Sequence, residues 1–256
     1  MRAAGTTIAL VLAVSCGGGG GGAGRPVPAE PVREPVVRPA PPADAATPLP
    51  TGRGTFLAAP LAGTVAVHAA PGTTTPYMSL DAQNPWRQRL QLLILDGARD
   101  DDGGAWLRVQ LPIWPNGQEG WVDADDVTVS KAPERIVVDL SRRRLLRFRD
   151  GAVVARASVA IGKPSTPTPP GRYVIWARFA TGHPSGPYGS FVLGLSGFSE
   201  SIDPAEWPGL PRLAIHGTDD PSDAGQAVSS GCIRVPNALL RGIRDVPMGT
   251  PVVIRA

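Results

Sequence analysis

The sequence predicts a mostly β protein, with two consecutive β-rich parts behind an N-terminal stretch that cannot build a core. Three observations carry this. Apolar runs are short and bounded by turn pairs, the pattern of strands about four to eight residues long. Helical periodicity is nearly absent before Pro236. Of the 31 Gly and 29 Pro, 8 Gly and 9 Pro fall in the first fifty residues, denser than in the rest. Few large apolar residues follow Val14 there, so the folded part is shorter than the 256-residue chain.

The chain opens with an expected export signal, residues 1–16. Arg2 supplies positive charge, Ile8 to Val14 an apolar stretch too short to span a bilayer. Ala13-Val14-Ser15-Cys16, followed by Gly17 to Gly22, resembles a bacterial lipoprotein signal, with Ala13 where Leu is commonest. That resemblance implies lipidation at Cys16, an exported protein and a membrane anchor in the cell envelope. Ordinary secretion with nearby cleavage is the competing reading. Residues 17–53 read as a Gly/Pro-rich disordered tether, with Pro26, Pro28, Pro31, Pro35, Pro39, Pro41 and Pro42 favouring extended chain. Some ~30 extended residues at about 3 Å each reach on the order of 90 Å.

Residues 54–130 read as all-β. Runs at Thr64 to His68, Arg89 to Leu95, Trp106 to Leu111 and Gly120 to Val122 are separated by Pro71-Gly72, Asp96-Gly97, Asp102-Gly103-Gly104 and Asn116-Gly117. Such a string suggests a small barrel or sandwich. Trp106 and Trp121 sit inside strand patterns and read as core, while Trp86 and Trp114 are candidates for a binding face. The second part, residues 135–256, adds strands at Ile136 to Leu140, Leu145 to Phe148, Val153 to Ile161 and Gly171 to Ala177. A short helix is expected over Pro236 to Arg244, with Asn237 contributing to its cap, before a closing strand at Pro251 to Ile254.

Chemistry concentrates in Leu213-Ala214-Ile215-His216-Gly217-Thr218 and Ser229-Ser230-Gly231-Cys232-Ile233-Arg234. If Cys16 is lipidated or removed, Cys232 has no partner within the chain, and a lone thiol in an exported protein suggests a use. The thiolate is the reactive form, and at an ordinary pKa of about 8.5 little of it exists at neutral pH. His216 and Arg234 are the groups that can raise that fraction, and the N–H groups of Gly231 and Cys232 can form an oxyanion pocket. The same residues also fit a buried cysteine and a hydrogen-bonded strand-end histidine. With three histidines in all and no ligand spacing, no metal is expected, and no cofactor.

His216-Gly217-Thr218 through Ser229-x-Gly231-Cys232-Ile233-Arg234 resembles the signature of the L,D-transpeptidase (YkuD-type) catalytic domain. Gly162-Lys163, Thr168-Pro169-Pro170-Gly171-Arg172-Tyr173, Pro187-Tyr188-Gly189 and Leu193-Gly194-Leu195-Ser196 are similar to its other segments. Gly104-Ala105-Trp106-Leu107-Arg108-Val109, Pro115-Asn116-Gly117 and Gly120-Trp121-Val122 resemble bacterial SH3-like domains. The resemblance thus implies an SH3-like β-barrel followed by a YkuD-type β-sandwich, with a short helix after the catalytic cysteine. It implies Cys232 as nucleophile, His216 as base and later acid, and Gly231, Cys232, Ser229 and Arg234 in oxyanion and supporting roles. Tyr188, Gly217 and Ser230 are candidate substrate contacts; Ser230 stands where many members have His.

The implied reaction is peptidoglycan L,D-transpeptidation. Stem tetrapeptides serve as donor and acceptor, D-alanine leaves from a Cys thioester, and a 3→3 cross-link forms; carbapenems are expected inhibitors. Alternatives that keep the site are L,D-carboxypeptidase activity and attachment of protein to the wall. A non-catalytic wall-binding protein is the alternative that abandons it. The net charge of +3 is too small to argue for nucleic acid, and the Arg142, Arg143, Arg144, Arg147, Arg149 cluster lacks interleaved aromatics.

Overall fold

A computed structural model describes residues 49–50, 54–202 and 211–256. The export signal, Cys16 and nearly all of the tether lie outside the described residues.

The first part of the fold contains β1 (Phe56–Pro60), β2 (Thr64–Val67), β3 (Met78–Asp81), β4 (Leu92–Arg99), β5 (Ala105–Gln110), β6 (Glu119–Asp123) and β7 (Val127–Lys131). Five of these form a sheet in the order β6-β5-β4-β1-β7, and β2 pairs with β3. Trp106 is buried, as expected, and so are its neighbour Leu107, Val109 and Val122, so β5 is covered on both faces. Trp121, expected in the core, is only half-buried because it lies on the face away from Val122. The Trp106 indole donates to Asp100 Oδ2 at 2.7 Å, which satisfies its one polar atom. Asp96-Gly97 is not a turn. It lies inside β4, where the register against β5 shifts between Ile94 and Asp96. A bulge tolerates the turn-like pair, so the strand runs on to Arg99.

The second part contains β8 (Glu134–Asp139), β9 (Arg144–Arg149), β10 (Ala152–Ser158), β11 (Ile161–Gly162), β12 (Gly171–Ala180), β13 (Phe191–Phe198), β14 (Arg212–Thr218), β15 (Ala227–Ser229), β16 (Ile233–Pro236), α1 (Asn237–Leu240) and β17 (Pro251–Arg255). Eight strands join in the order β10-β9-β8-β17-β12-β13-β14-β16. The long strand β12 belongs to both halves. Residues 171–174 pair with β17, and residues 175–180 pair with β13 across a bulge at Trp176. Ile136, Val138, Leu145 and Tyr173 from one half meet Leu193, Leu195, Leu213, Ile215 and Ile233 from the other in a single core. The sheet therefore folds over itself at β12. The helix is shorter than Pro236 to Arg244: α1 ends at Leu240 and carries no side-chain cap bond.

The two parts meet at β12 and β14. Asn84 Nδ2 donates to Trp176 O at 2.7 Å. Gln88 donates to Arg178 O at 2.6 Å and accepts from Arg178 N at 3.0 Å. These amides occupy the backbone edge that β17 leaves behind after residue 174. Trp86 stacks on Phe179 with ring centroids 5.7 Å apart, and Trp114 meets Phe198 edge-on at 6.1 Å. Both tryptophans suggested as a binding face thus pack at this junction. The Arg212 guanidinium lies 3.6 Å from the Trp176 ring centroid and donates to Pro112 O at 3.1 Å. Burial pulls its pKa down to about 9, which still leaves it charged at neutral pH.

The arginine cluster read from sequence divides. Arg147 is 3% exposed and grips Glu134 through two bonds of 2.7 and 3.0 Å, while Arg149 adds a third at 2.7 Å. Arg147 also donates to Gly242 O at 2.8 Å and to Asp245, tying β9 to the turn after α1. Truncating Glu134 would take the carboxylate partner from Arg149 and leave the buried Arg147 with the Asp245 carboxylate alone. Glu134→Ala is expected to lower unfolding stability by about 3–5 kcal/mol in urea titrations, against less than about 1 kcal/mol for the well exposed Arg255→Ala.

Candidate functional site

The site rests on one parallel strand pair. β14 and β16 run side by side with Ile215 opposite Ile233 and His216 opposite Arg234. Paired residues share a face, and side chains alternate along each strand. His216 and Arg234 therefore point to one side, and two residues earlier Ala214 and Cys232 point to that same side. The other parity sends Leu213, Ile215, Ile233 and Val235 into the core. On neighbouring β13, Val192 stands opposite His216 and Gly194 opposite Ala214. Cys232 packs with Val192 and Ala214, with Phe179 and Tyr188 around them. Residues sixteen positions apart in sequence thus share one face of the sheet on neighbouring strands, two residues out of register.

His216 is fully buried. Its Nδ1 faces Gly217 O at 2.5 Å, so Nδ1 carries the proton and Nε2 is the acceptor nitrogen. Burial pushes its pKa down to about 4; the Gly217 carbonyl and Asp223 oppose this, while Arg234 reinforces it. At neutral pH the ring is neutral and able to take a proton. The Tyr188 ring meets the imidazole edge-on, with centroids 5.2 Å apart. Gly217 has no room for a side chain, because a Cβ would come within 2.8 Å of Gly189 Cα and clash with Asn237 Oδ1. Gly189 in turn has φ +60. Two glycines back to back let the loop carrying Tyr188 lie directly on the strand carrying His216.

The turn before Cys232 is braced from within and from outside. Ser229 Oγ donates to Cys232 O at 2.5 Å and accepts from Gly231 N at 3.1 Å. Thr168 Oγ1 donates to Gly231 O at 2.8 Å and accepts from Gly162 N at 2.9 Å. Lys163 N donates to Ser229 O at 2.9 Å. Gly231 has φ +118, a conformation that favours glycine. Its N–H is already used by Ser229, so the oxyanion role expected of Gly231 rests on an occupied donor. Ser230 is half-buried beside it. Cys232 is fully buried, packed with Val192 and Ala214.

Arg234 does not stand ready as an open cation. Its Nη1 donates to Asp223 Oδ2 at 2.8 Å, both side chains being largely buried, and Thr218 Oγ1 adds a bond to the same carboxylate oxygen at 3.1 Å. Asp223 was not visible as a site residue in the sequence, where it is one of several acids in a loop. Asn237 was expected at a helix cap. It instead accepts from Ser190 N at 2.9 Å and donates to Pro184 O and Thr218 O at 2.8 and 3.1 Å. Thr168 stood in a noted motif without a role. Ser199, whose buried Oγ has no hydrogen-bond partner, carried no signal at all.

Comparison with known proteins finds similarity over the second part of the chain. Residues 133–254 match the family model of the YkuD L,D-transpeptidase catalytic domain. Over 123 residues the chain is 38% identical to a Bacillus licheniformis protein named "Putative L,D-transpeptidase YkuD" and 33% identical to its namesake in Bacillus subtilis. Each alignment covers 48% of this chain and 66% of the relative. Among solved structures, one similar chain is L,D-transpeptidase 3 from Mycobacterium tuberculosis in complex with a faropenem-derived adduct. It is 13% identical with a TM-score of 0.41, covering 60% of this chain and 91% of that one.

A histidine held neutral by burial gives the folded state a pH signature. The unfolded chain binds the proton near pH 6.5 and the folded chain only near 4, so stability from this group is full above about pH 6.5 and is lost as pH falls towards 4. Urea unfolding midpoints from pH 8 down to pH 4 should therefore fall more steeply in the wild type than in His216→Gln. Parallel curves would show that His216 titrates alike in both states.

Proposed function

We propose that this protein is a peptidoglycan L,D-transpeptidase working through a Cys232 thioester. The observation that carries the reading is the β14–β16 register, which sets Cys232 and His216 on one face of one sheet inside the matched segment. In the reduced protein, His216 Nε2 takes the Cys232 proton, and the thiolate attacks the carbonyl joining the third stem residue to the terminal D-alanine. The Cys232 N–H supports the oxyanion, with Gly231 joining if its bond to Ser229 loosens. Collapse forms the thioester, and the departing D-alanine amine takes the proton from His216. The side-chain amine of a diamino acid on a second stem then attacks the thioester and gives its proton to His216. The second collapse forms the 3→3 amide and returns the proton to the sulfur.

Arg234, held by Asp223, orients the strand pair and keeps imidazolium disfavoured rather than gripping substrate. Tyr188 borders the imidazole as a substrate wall, with Gly217 giving it close approach. Asn237 and Ser190 hold that wall. Residues 54–130 would be an SH3-like module fixed against the catalytic sheet through Asn84, Gln88 and Arg212.

Incubating the reduced full chain with disaccharide-tetrapeptide and reading products by mass tests this. Cross-linked dimer with release of D-alanine, absent in Cys232→Ala, is the expected result. Tripeptide without dimer would make water the acceptor, and no product with several stem chemistries would overturn the reading. A carbapenem should add its own mass to the reduced wild type and leave Cys232→Ala unchanged.

Export and anchoring are proposed on the lipoprotein-like start. Labelled palmitate should enter the expressed protein and be lost in Cys16→Ser. Equal labelling in both would rule out Cys16 as the acceptor.

A further inference from the structure

The half-sheet β10-β9-β8-β17-β12 has a face that the core does not use. Ile136, Val138, Leu145, Val252 and Ile254 turn inward, so their alternate neighbours turn outward. Strand register then collects arginines far apart in sequence. Arg156 lies opposite Leu146, Arg144 opposite Asp139, Asp139 opposite Arg255, and Val253 opposite both Val137 and Arg172. Arg135 pairs with Phe148 in the next row, its guanidinium 4.3 Å from the ring centroid. All five arginines, Arg135, Arg144, Arg156, Arg172 and Arg255, are exposed.

Asp139 is the one carboxylate in these outward rows among the described residues, and Arg255 takes it at 3.0 Å. Arg135, Arg144, Arg156 and Arg172 make no ion pair there. Five strands at about 4.8 Å spacing spread these charges over roughly 19 Å. At physiological salt the screening length is about 8 Å, so neighbouring guanidiniums repel one another and an anionic partner relieves that repulsion. The rest of the fold does not share this excess: residues 54–132 carry more acid than base. Leu146, Phe148, Val137 and Val253 are half-buried between the arginines, and Val153, opposite Phe148, is exposed at the β10 edge. The face is therefore basic and shallow, with too little exposed apolar surface to enter a bilayer.

We propose that this face is a docking surface for the carboxylate-bearing peptides of peptidoglycan, separate from the catalytic site. The choice of polymer rests on the transpeptidase reading; the basic surface does not. Guanidinium forks match carboxylates in two parallel bonds, and a flat array suits a chain bearing repeated carboxylates. The face lies across the core from the side carrying Cys232 and His216, so a strand bound there leaves the site open. It would hold wall polymer close while a stem enters the catalytic face.

The test is co-sedimentation of the full chain with insoluble peptidoglycan from roughly 50 to 300 mM salt, where exposed charges become screened. The wild type should pellet at low salt and release as salt rises. Arg135→Gln/Arg144→Gln/Arg156→Gln/Arg172→Gln should weaken pelleting about tenfold, and the four Lys counterparts should restore most of it. Carbapenem addition to reduced Cys232 should proceed equally in the Gln variant, which checks its fold. Cys232→Ala should pellet as the wild type, so loss of the catalytic reading would leave this result interpretable. Equal pelleting by the Gln variant and the wild type overturns the proposal. So does binding to phosphatidylglycerol vesicles with none to peptidoglycan.

Discussion

The parallel pairing of β14 with β16 is the constraint on which the site depends. Antiparallel neighbours can be joined by a two-residue turn, but parallel neighbours need a connection that travels the length of the strand. Here that connection leaves β14 at Thr218 and returns at Cys232. Cys232 is therefore the last residue of the crossover, and His216 sits near the end of the strand where it began. A slip of one residue would place Cys232 on the core side and His216 opposite the wrong neighbour. The register is held because Ile215, Ile233 and Val235 must reach the core.

A crossover of this length would wander if its backbone were not fixed. The second short pair, β11 with β15, and the Ser229, Thr168 and Lys163 bonds fix it at its returning end. Asp223 fixes its outgoing end through Arg234 and Thr218. These bonds engage polar groups that line the site. Arg234 and the Gly231 N–H are both committed to holding the turn, so the proposed chemistry draws on a small set: the sulfur, a neutral imidazole and the Cys232 backbone. A burial-depressed histidine suits such a set, because the site gains nothing from a standing imidazolium beside a cation.

Much of this was legible in the sequence because the strand pattern and the His and Cys segments are local. Trp106 could be assigned to the core from its place in an alternating run, and His216 to the end of an apolar strand. What failed was information carried by partners. Asp96-Gly97 has turn chemistry, but a bulge absorbed it. Asn237 has cap chemistry, but Ser190, Pro184 and Thr218 offered better bonds than α1 did. Asp223 became a site residue only because the crossover brings it to Arg234. Neighbouring arginines gave the most misleading signal: Arg147 turns inward to a buried carboxylate while Arg144, three residues before it, turns out to solvent.

That split follows from the strand period, and it explains how one sheet can do two things. Residues of one parity in β9 secure the fold through Glu134 and Asp245, and those of the other parity build a basic surface with distant arginines. Linear clustering exaggerates the charge of the β9 segment and hides that of β10, β12 and β17, which each give a single arginine to the outward face. On the far side of the shared core the same alternation separates Ile215 from His216. Packing thus supplies the reason both surfaces stay rigid: each outward residue is fixed by an inward neighbour that cannot move without opening the core. On the proposed reading, a protein that holds a long anionic polymer and acts on one bond of it needs two such surfaces, and a sheet folded at β12 offers both from a single core.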